Sequence, residues 1–263
     1  MVIYYSARSH KGCVREHNED NLCANGELLP PRADKRGFSM DGRVRPPCLF
    51  AVCDGMGGTE RGELASFLAV QTLAQRRETL LAANGSSLEA EVAETVKAAD
   101  SAVRAQCGSE ESAGTTLSLA VVTRRDIRCF NLGDSRIYQQ RGENLVQVTH
   151  DHTWLTEHME QERPLRPESF LENMHKLTRC IGVGPPCLAE AYPPLQRKGR
   201  LLLCSDGLTD MLTAREIGSV LAEHRETAEA SEALLALSLE KGGYDNVTVI
   251  VVDFVSERFP RLD

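Results

Sequence analysis

Residues 49–58 read LFAVCDGMGG. An apolar run ends in one aspartate, Asp54, and three glycines follow within four residues. The run is short and apolar and stops at a Gly-rich turn, which predicts a buried strand over 48–53. A bare carboxylate at the edge of a core is costly unless something compensates it. An ordinary Asp-Gly turn would explain the motif if it occurred once.

The pattern recurs along the chain. Glu19 and Asp20 fall in REHNEDN (15–21), ahead of an apolar-leaning strand. Asp134 follows IRCFNLG (127–133), Asp206 follows RLLLCS (200–205), and Asp245 precedes NVTVIVV (246–252). Each carboxylate stands at the end of a strand-like segment rather than on a helical face. If the sheets stack, these ends converge on one cleft. The donors are all oxygen, with no His or Cys among them, and this favours a hard cation, Mg²⁺ or Mn²⁺. Gly55, Gly57 and Gly58 allow a close backbone approach, so a main-chain carbonyl can join the coordination sphere and Asp54 is placed to bridge two cations.

Working outward, strands are expected over 2–8, 20–25, 48–53, 114–123, 127–133, 135–140, 144–148, 200–204 and 246–254. Helices are expected over 60–79, 87–106, 152–161, 214–224 and 227–240, with capping boxes at Ser86–Glu89 and Thr213–Glu216. Dense strands with short turns between 114 and 148 favour antiparallel hairpins. The fold class is α+β, sheet stacked on sheet with helices outside, in one domain over 1–263. Residues 26–47, GELLPPRADKRGFSMDGRVRPP, read as a surface loop because prolines cannot donate to a ladder. Residues 150–180 suit an exposed flap.

The 263 residues carry a formal net charge of −8 and no basic tract, which argues against nucleic acid as the main partner. No run approaches the roughly 20 apolar residues of a membrane span. The first residues lack the order of a signal peptide, so the chain reads as soluble and cytoplasmic. Nine scattered cysteines without a Cys-x-x-Cys pair read as free thiols in a reducing compartment. None has an arginine six positions on, as a cysteine phosphatase needs; Arg136 is one position too far from Cys129. No Gly-Lys-Ser/Thr element supports a nucleotide-binding kinase or ATPase. His150 and His152 flank Asp151, and we read them as the start of the segment after the hairpins rather than as metal ligands. Arg136 is expected to pin the Asp134 turn by an ion pair, Thr115 and Thr116 to be structural, and Asn246 to orient Asp245 or cap a turn.

The motif order resembles the metal-dependent serine/threonine protein phosphatases, the PPM or type 2C family, in its compact bacterial form. The matching stretches are GCVREHNED (12–20), AVCDGMGG (51–58), GTTLSLAVV (114–122), NLGDSRIY (131–138), LTRCIG (177–182), LLLCSDGLTD (201–210) and DNVTVIVV (245–252). The resemblance implies two stacked antiparallel sheets flanked by helix pairs, an αββα sandwich with two Mn²⁺ or Mg²⁺ ions in a cleft at one end. Asp54 would bridge them. Glu19 and the Gly55 carbonyl would serve the second ion, Asp206 and Asp245 the first, and Asp20 would support the site through bound water. Asp134, Asp206 and Asp210 match a third, weaker site, and Arg15 matches the arginine that grips the substrate phosphate; a surface ion pair with Glu16 or Glu19 is its alternative.

The implied reaction is hydrolysis of phosphoserine or phosphothreonine in proteins by a water or hydroxide bridging the two metals, opposing a cognate Ser/Thr kinase, by a monomer. A phosphatase for small phosphorylated molecules and a non-catalytic pseudophosphatase are the alternatives. Some family members carry a histidine after the first or last glycine of DGMGG. Met56 and Thr59 stand there instead, which leaves the general acid open.

Overall fold

β5 (Cys48–Met56) is buried along its whole apolar run because both of its faces meet core. Leu49, Ala51 and Cys53 pack against Leu68, Leu73, Val92 and Val96 of the helices on one side. Phe50 and Val52 face the other way, toward Ile3, Leu201, Leu203 and Ile250. The period-2 alternation of a strand thus serves two different core layers. Burying each large side chain contributes about 1.5–3 kcal/mol, so this run alone commits the chain to a layered interior. The structure, a computed structural model, describes residues 1–29, 37–57, 60–107, 113–142, 144–160, 173 and 176–256.

Two antiparallel sheets are stacked. One contains, in spatial order, β10 (Asn144–Gln147), β9 (Arg136–Arg141), β12 (Arg200–Cys204), β13 (Val247–Val255), β1 (Val2–His10) and β4 (Phe38–Val44). The other runs β11 (Glu190–Ala191), β8 (Ile127–Leu132), β7 (Leu117–Val122), β5, β2 (Asp20–Ala24) and β3 (Glu27–Leu28), with β6 (Gly114–Thr115) paired to the end of β5. On the β5 side lie α1 (Glu60–Gln75), α2 (Arg77–Ala82) and α3 (Ser86–Cys107). On the β13 side lie α5 (Asp206–Thr209), α6 (Ala214–Glu223) and α7 (Thr227–Glu240). A short α4 (Trp154–Glu160) follows β10. The order helix, sheet, sheet, helix is the expected αββα sandwich.

Some local expectations differ from the structure. Residues 38–44, assigned to a surface loop, form β4, paired with β1 from Ile3↔Val44 to Ser9↔Phe38. Pro46 and Pro47 fall outside this strand, so they bound the ladder without interrupting it. The expected helix 60–79 breaks at Arg76, whose side chain turns to Thr95 Oγ1 (2.9 Å) and Glu91 Oε2 (3.0 Å) of α3. The Thr213–Glu216 capping box forms, but the Ser86–Glu89 box does not. Instead, Ser87 Oγ donates to the Asn84 carbonyl at 2.7 Å, while Glu89 pairs with Arg128 of β8. The flap expected over 150–180 falls in large part on 161–172 and 174–175, which lie outside the described residues.

Candidate active site

The strand ends do converge. β2 pairs with β5 so that Asp20 sits opposite Asp54. Asp134 lies in the turn from β8 to β9, which pair with β7 and β12 respectively. Asp206 opens α5 directly after β12, and Asp245 precedes β13, the neighbouring strand. Asp54, Asp134, Asp206, Asp245 and Glu19 line one cleft of about 830 Å³, together with Arg15, Gly55, Met56, Arg61, Thr116 and Asn246. Asp20 lies buried behind this lining, and Asp210 stands at the exposed end of α5.

Burial is the leading cause that raises the pKa of four carboxylates here. It pushes Asp206 to about 6, Asp20 to about 7 and Asp134 to about 8, and Asp54 well above its usual range. Neighbouring carboxylates add to each shift: Asp206 and Asp245 act on Asp20, and Asp20, Asp206 and Asp134 act on Asp54. The side chains of Asp54 and Asp206 also act on each other, which raises the first and lowers the second. Two buried oxygens, Asp20 Oδ1 and Asp206 Oδ1, have no hydrogen-bond partner. Among the described residues no three His, Cys, Asp or Glu side chains close on a single point.

Neutral groups hold the carboxylates in place. Ser205 Oγ donates to Asp20 Oδ2 at 2.7 Å and accepts from the Thr248 amide at 3.0 Å. The Asp54 amide donates to Thr116 Oγ1 at 2.9 Å, and Thr116 Oγ1 lies 2.7 Å from Ser135 Oγ. Asn246 ties the 11–19 loop to the start of β13: its Nδ2 donates to the Lys11 and His17 carbonyls at 2.9 and 2.8 Å, and its Oδ1 accepts from the Glu19 amide at 2.7 Å. Asn246 therefore straps a loop, beyond the orienting role expected for it. Thr116 likewise reaches the site itself.

Gly62 was missed by sequence reasoning. A Cβ there would lie 2.4 Å from Glu19 Oε2 and 3.2 Å from the Gly55 carbonyl carbon. Only a residue without a side chain lets α1 pass against Glu19 and Gly55. The available signal was a lone glycine in RGELAS (61–66) inside an otherwise regular helix.

Two arginines take partners other than those the sequence suggested. Arg15 Nη2 donates to Asp245 Oδ2 at 2.7 Å, not to Glu16 or Glu19, so the guanidinium rests on a proposed metal ligand. Arg136 grips Asp151 with Nε at 2.9 and 3.0 Å and Nη2 at 2.6 Å, rather than pinning Asp134. Asp151 turns both of its oxygens to the guanidinium, which makes it the better-placed fork partner. His152 is buried, with Nδ1 accepting from the Gly133 amide at 3.1 Å and Nε2 2.8 Å from Glu190 Oε2. His150 packs edge-on against Tyr192. The two histidines make separate contacts.

A model of the family described as protein phosphatase 2C matches residues 32–241. The serine/threonine protein phosphatase PstP of Mycobacterium tuberculosis is 33% identical over 97% of this chain, which spans 46% of that protein. The chain thus covers under half the length of that relative. The serine/threonine phosphatase stp of Listeria monocytogenes is 29% identical over 94% of this chain and 94% of its own. The solved catalytic domain of PstP in complex with two manganese ions superposes with a TM-score of 0.75 at 32% identity, covering 97% of this chain and all of that one.

Proposed function

We propose that this chain, which belongs to the protein phosphatase 2C family, hydrolyses phosphoserine and phosphothreonine monoesters in proteins with the help of two divalent cations, Mn²⁺ or Mg²⁺. The observation that carries this reading is the convergence of Asp20, Asp54, Asp134 and Asp206, which burial and neighbouring carboxylates all push to higher pKa values. Such a cluster is stable as anions only when a positive charge enters it. The residues fit a hard divalent ion: the donors are oxygen, and buried Oδ1 atoms of Asp20 and Asp206 lack partners.

Asp54, the Gly55 carbonyl, Glu19, Asp206 and Asp245 would hold the pair of ions, with Asp20 in support and Asp134 and Asp210 contributing to a third, weaker site. Bound cations supply charge screening for the phosphate and Lewis acidity toward water. Arg15 presents a planar fork to two phosphate oxygens from the mouth of the cleft. Thr116, Ser135 and Ser205 fix the carboxylates, and Asn246 fixes the loop that carries Arg15 and Glu19. A cysteine nucleophile is not needed, and the cysteines next to Asp54 and near Asp206 are unsuited to the role. Burial pushes the Cys204 thiol up to about 12 and raises Cys53 further.

Every proposed donor comes from one chain, which supports action as a monomer. The substrates would be phosphoproteins, with a Ser/Thr kinase acting in opposition. No helix among the described residues is long and apolar enough to cross a membrane. The nine cysteines are free, which supports a reducing, cytoplasmic setting. The test is release of phosphate from a phosphothreonine peptide and from a panel of phosphometabolites, with Mn²⁺, with Mg²⁺ and with excess chelator. Metal-dependent turnover favouring the peptide is expected. Turnover that survives the chelator, or that favours a metabolite, overturns the reading.

A further inference from the structure

Gly133, the residue before Asp134, is held from several sides. Its amide donates to His152 Nδ1 at 3.1 Å, and its carbonyl accepts from the His152 amide at 2.9 Å. The same carbonyl accepts from Asn131 Nδ2 at 3.0 Å. Gly133 takes a φ of +97°, and a Cβ there would lie 2.5 Å from Thr116 Cγ2. The turn therefore leans directly on Thr116, whose Oγ1 accepts from the Asp54 amide. On the other side of Asp134, the Ser135 hydroxyl lies 2.7 Å from Thr116 Oγ1, and the Ser135 carbonyl accepts from Ser118 Oγ at 2.8 Å. Asp134 is thus suspended between two anchored residues, and the anchor on the Gly133 side is a buried histidine.

Which ring nitrogen carries the proton decides whether that anchor holds. The Gly133 amide needs a lone pair on Nδ1, so the proton stands on Nε2, 2.8 Å from Glu190 Oε2. Burial works to raise the Glu190 carboxyl, but hydrogen bonds from His152 and Tyr192 outweigh it and hold the group below its usual range, so an anion faces Nε2. β11 pairs Glu190 with Asn131 of β8, the strand that leads into the turn. The His152 carbonyl accepts the Thr178 amide at 2.9 Å, beside Leu177 of the cleft lining. We propose that His152, with Glu190 selecting its tautomer, is a positioning residue for the Asp134 metal site. It fixes the turn that presents the Asp134 carboxylate and touches neither cation nor substrate. This inference rests on the metal reading given above, in which Asp134 contributes to the third, weaker site.

The experiment titrates Mn²⁺ calorimetrically into the metal-free full chain. His152→Asn keeps an acceptor in the place of Nδ1 and gives up the donor to Glu190, whereas His152→Gln keeps a donor toward Glu190, gives up the acceptor and fills more of the space. Wild type should bind Mn²⁺ in a tight phase and a weaker one. His152→Gln should weaken the weaker phase about 10–100-fold, the usual effect of losing a group that orients a ligand. His152→Asn should stay nearer wild type, although it leaves the larger void; a residue that only filled space would rank the two the other way. A second pair reads the same contrast at the half-exposed partner. Glu190→Gln still accepts from Nε2 and should match wild type, while Glu190→Leu frees the proton to move to Nδ1 and should behave as His152→Gln does. The tight phase should be the same in all five proteins. Equal weak-phase affinity throughout, or His152→Gln closer to wild type than His152→Asn, overturns the proposal, as does a tight phase weakened as much as the weak one. A wild type with a tight phase only removes this role and leaves the two-ion reading standing. A wild type that binds no Mn²⁺ ends the metal reading itself.

Discussion

Asp253 and Asp54 are both strand carboxylates, and their surroundings are opposite. Asp253 of β13 receives Arg200 Nε at 2.8 Å and Nη2 at 2.7 Å. The same arginine donates to the Leu221 and His224 carbonyls and closes the end of α6. Asp151 is gripped by Arg136 and Asp100 by Arg104 in the same bidentate way. Asp54 meets Asp20, Asp206 and Asp134 instead. Buried charge is matched by arginine on the outer faces of the sheets and left as like charge at the cleft. The matched carboxylates serve the fold. The unmatched ones are held in place by neutral groups of the fold, and in the function proposed above the missing charge would come from bound cations.

The contrast can be broken at either end. Replacing Asp54 by Asn should lower kcat with Mn²⁺ by about 10²–10³-fold or more, the scale of losing a principal electrostatic stabiliser. The same change should raise the melting temperature in chelator, because it removes one of the crowded carboxylates. Phosphate-release kinetics and a thermal melt check the two halves, and an inactive variant that is also less stable without metal contradicts the contrast. Arg200→Met acts in the opposite sense. It strands Asp253 and three carbonyls, and should cost about 3 kcal/mol in chemical denaturation. Activity per folded molecule should not change.

A pH series sharpens the comparison. With folded-state values of about 6, 7 and 8 against 3.8 unfolded, Asp206, Asp20 and Asp134 keep protons that the unfolded chain has lost. The metal-free protein should therefore lose stability as pH rises from about 4 to about 8. Mn²⁺ should flatten or reverse this slope, read from melts at fixed ionic strength. A metal-free protein whose stability rises across the whole range would show that the cleft carboxylates are compensated after all. The smallest effect belongs to Thr213→Ala, remote from the cleft. It should remove the α6 capping box for about 1 kcal/mol, with no change in metal dependence.

The layered fold was legible because its central strands are apolar on both faces. LFAVC and VTVIVV admit no solvent side, so a strand with core above and below was the remaining arrangement. β4 was not legible. It is an edge strand whose residues alternate between half-buried and exposed, and its Ser, Asp and Gly content resembles a loop. At the cleft, the carboxylates were visible as a recurring strand-end pattern. Their support was not, because Thr116, Ser135 and Ser205 are small polar residues whose roles depend on what the tertiary fold brings near them. The partners of Arg15 and Arg136 could not be read either. Asp245 lies 230 positions from Arg15, and nothing local distinguishes it from nearer acids.

The Asn246 strap has a consequence for how the protein comes off the ribosome. The loop bearing Arg15 and Glu19 is made well before its anchor, a side-chain amide more than 225 positions later, beside a strand that inserts between β1 and β12. A nascent chain halted before Asp245 lacks both that anchor and a carboxylate of the cleft. The cleft is thus completed late, by contacts between segments far apart in the chain, and the 11–19 loop stays untied until Asn246 has been made.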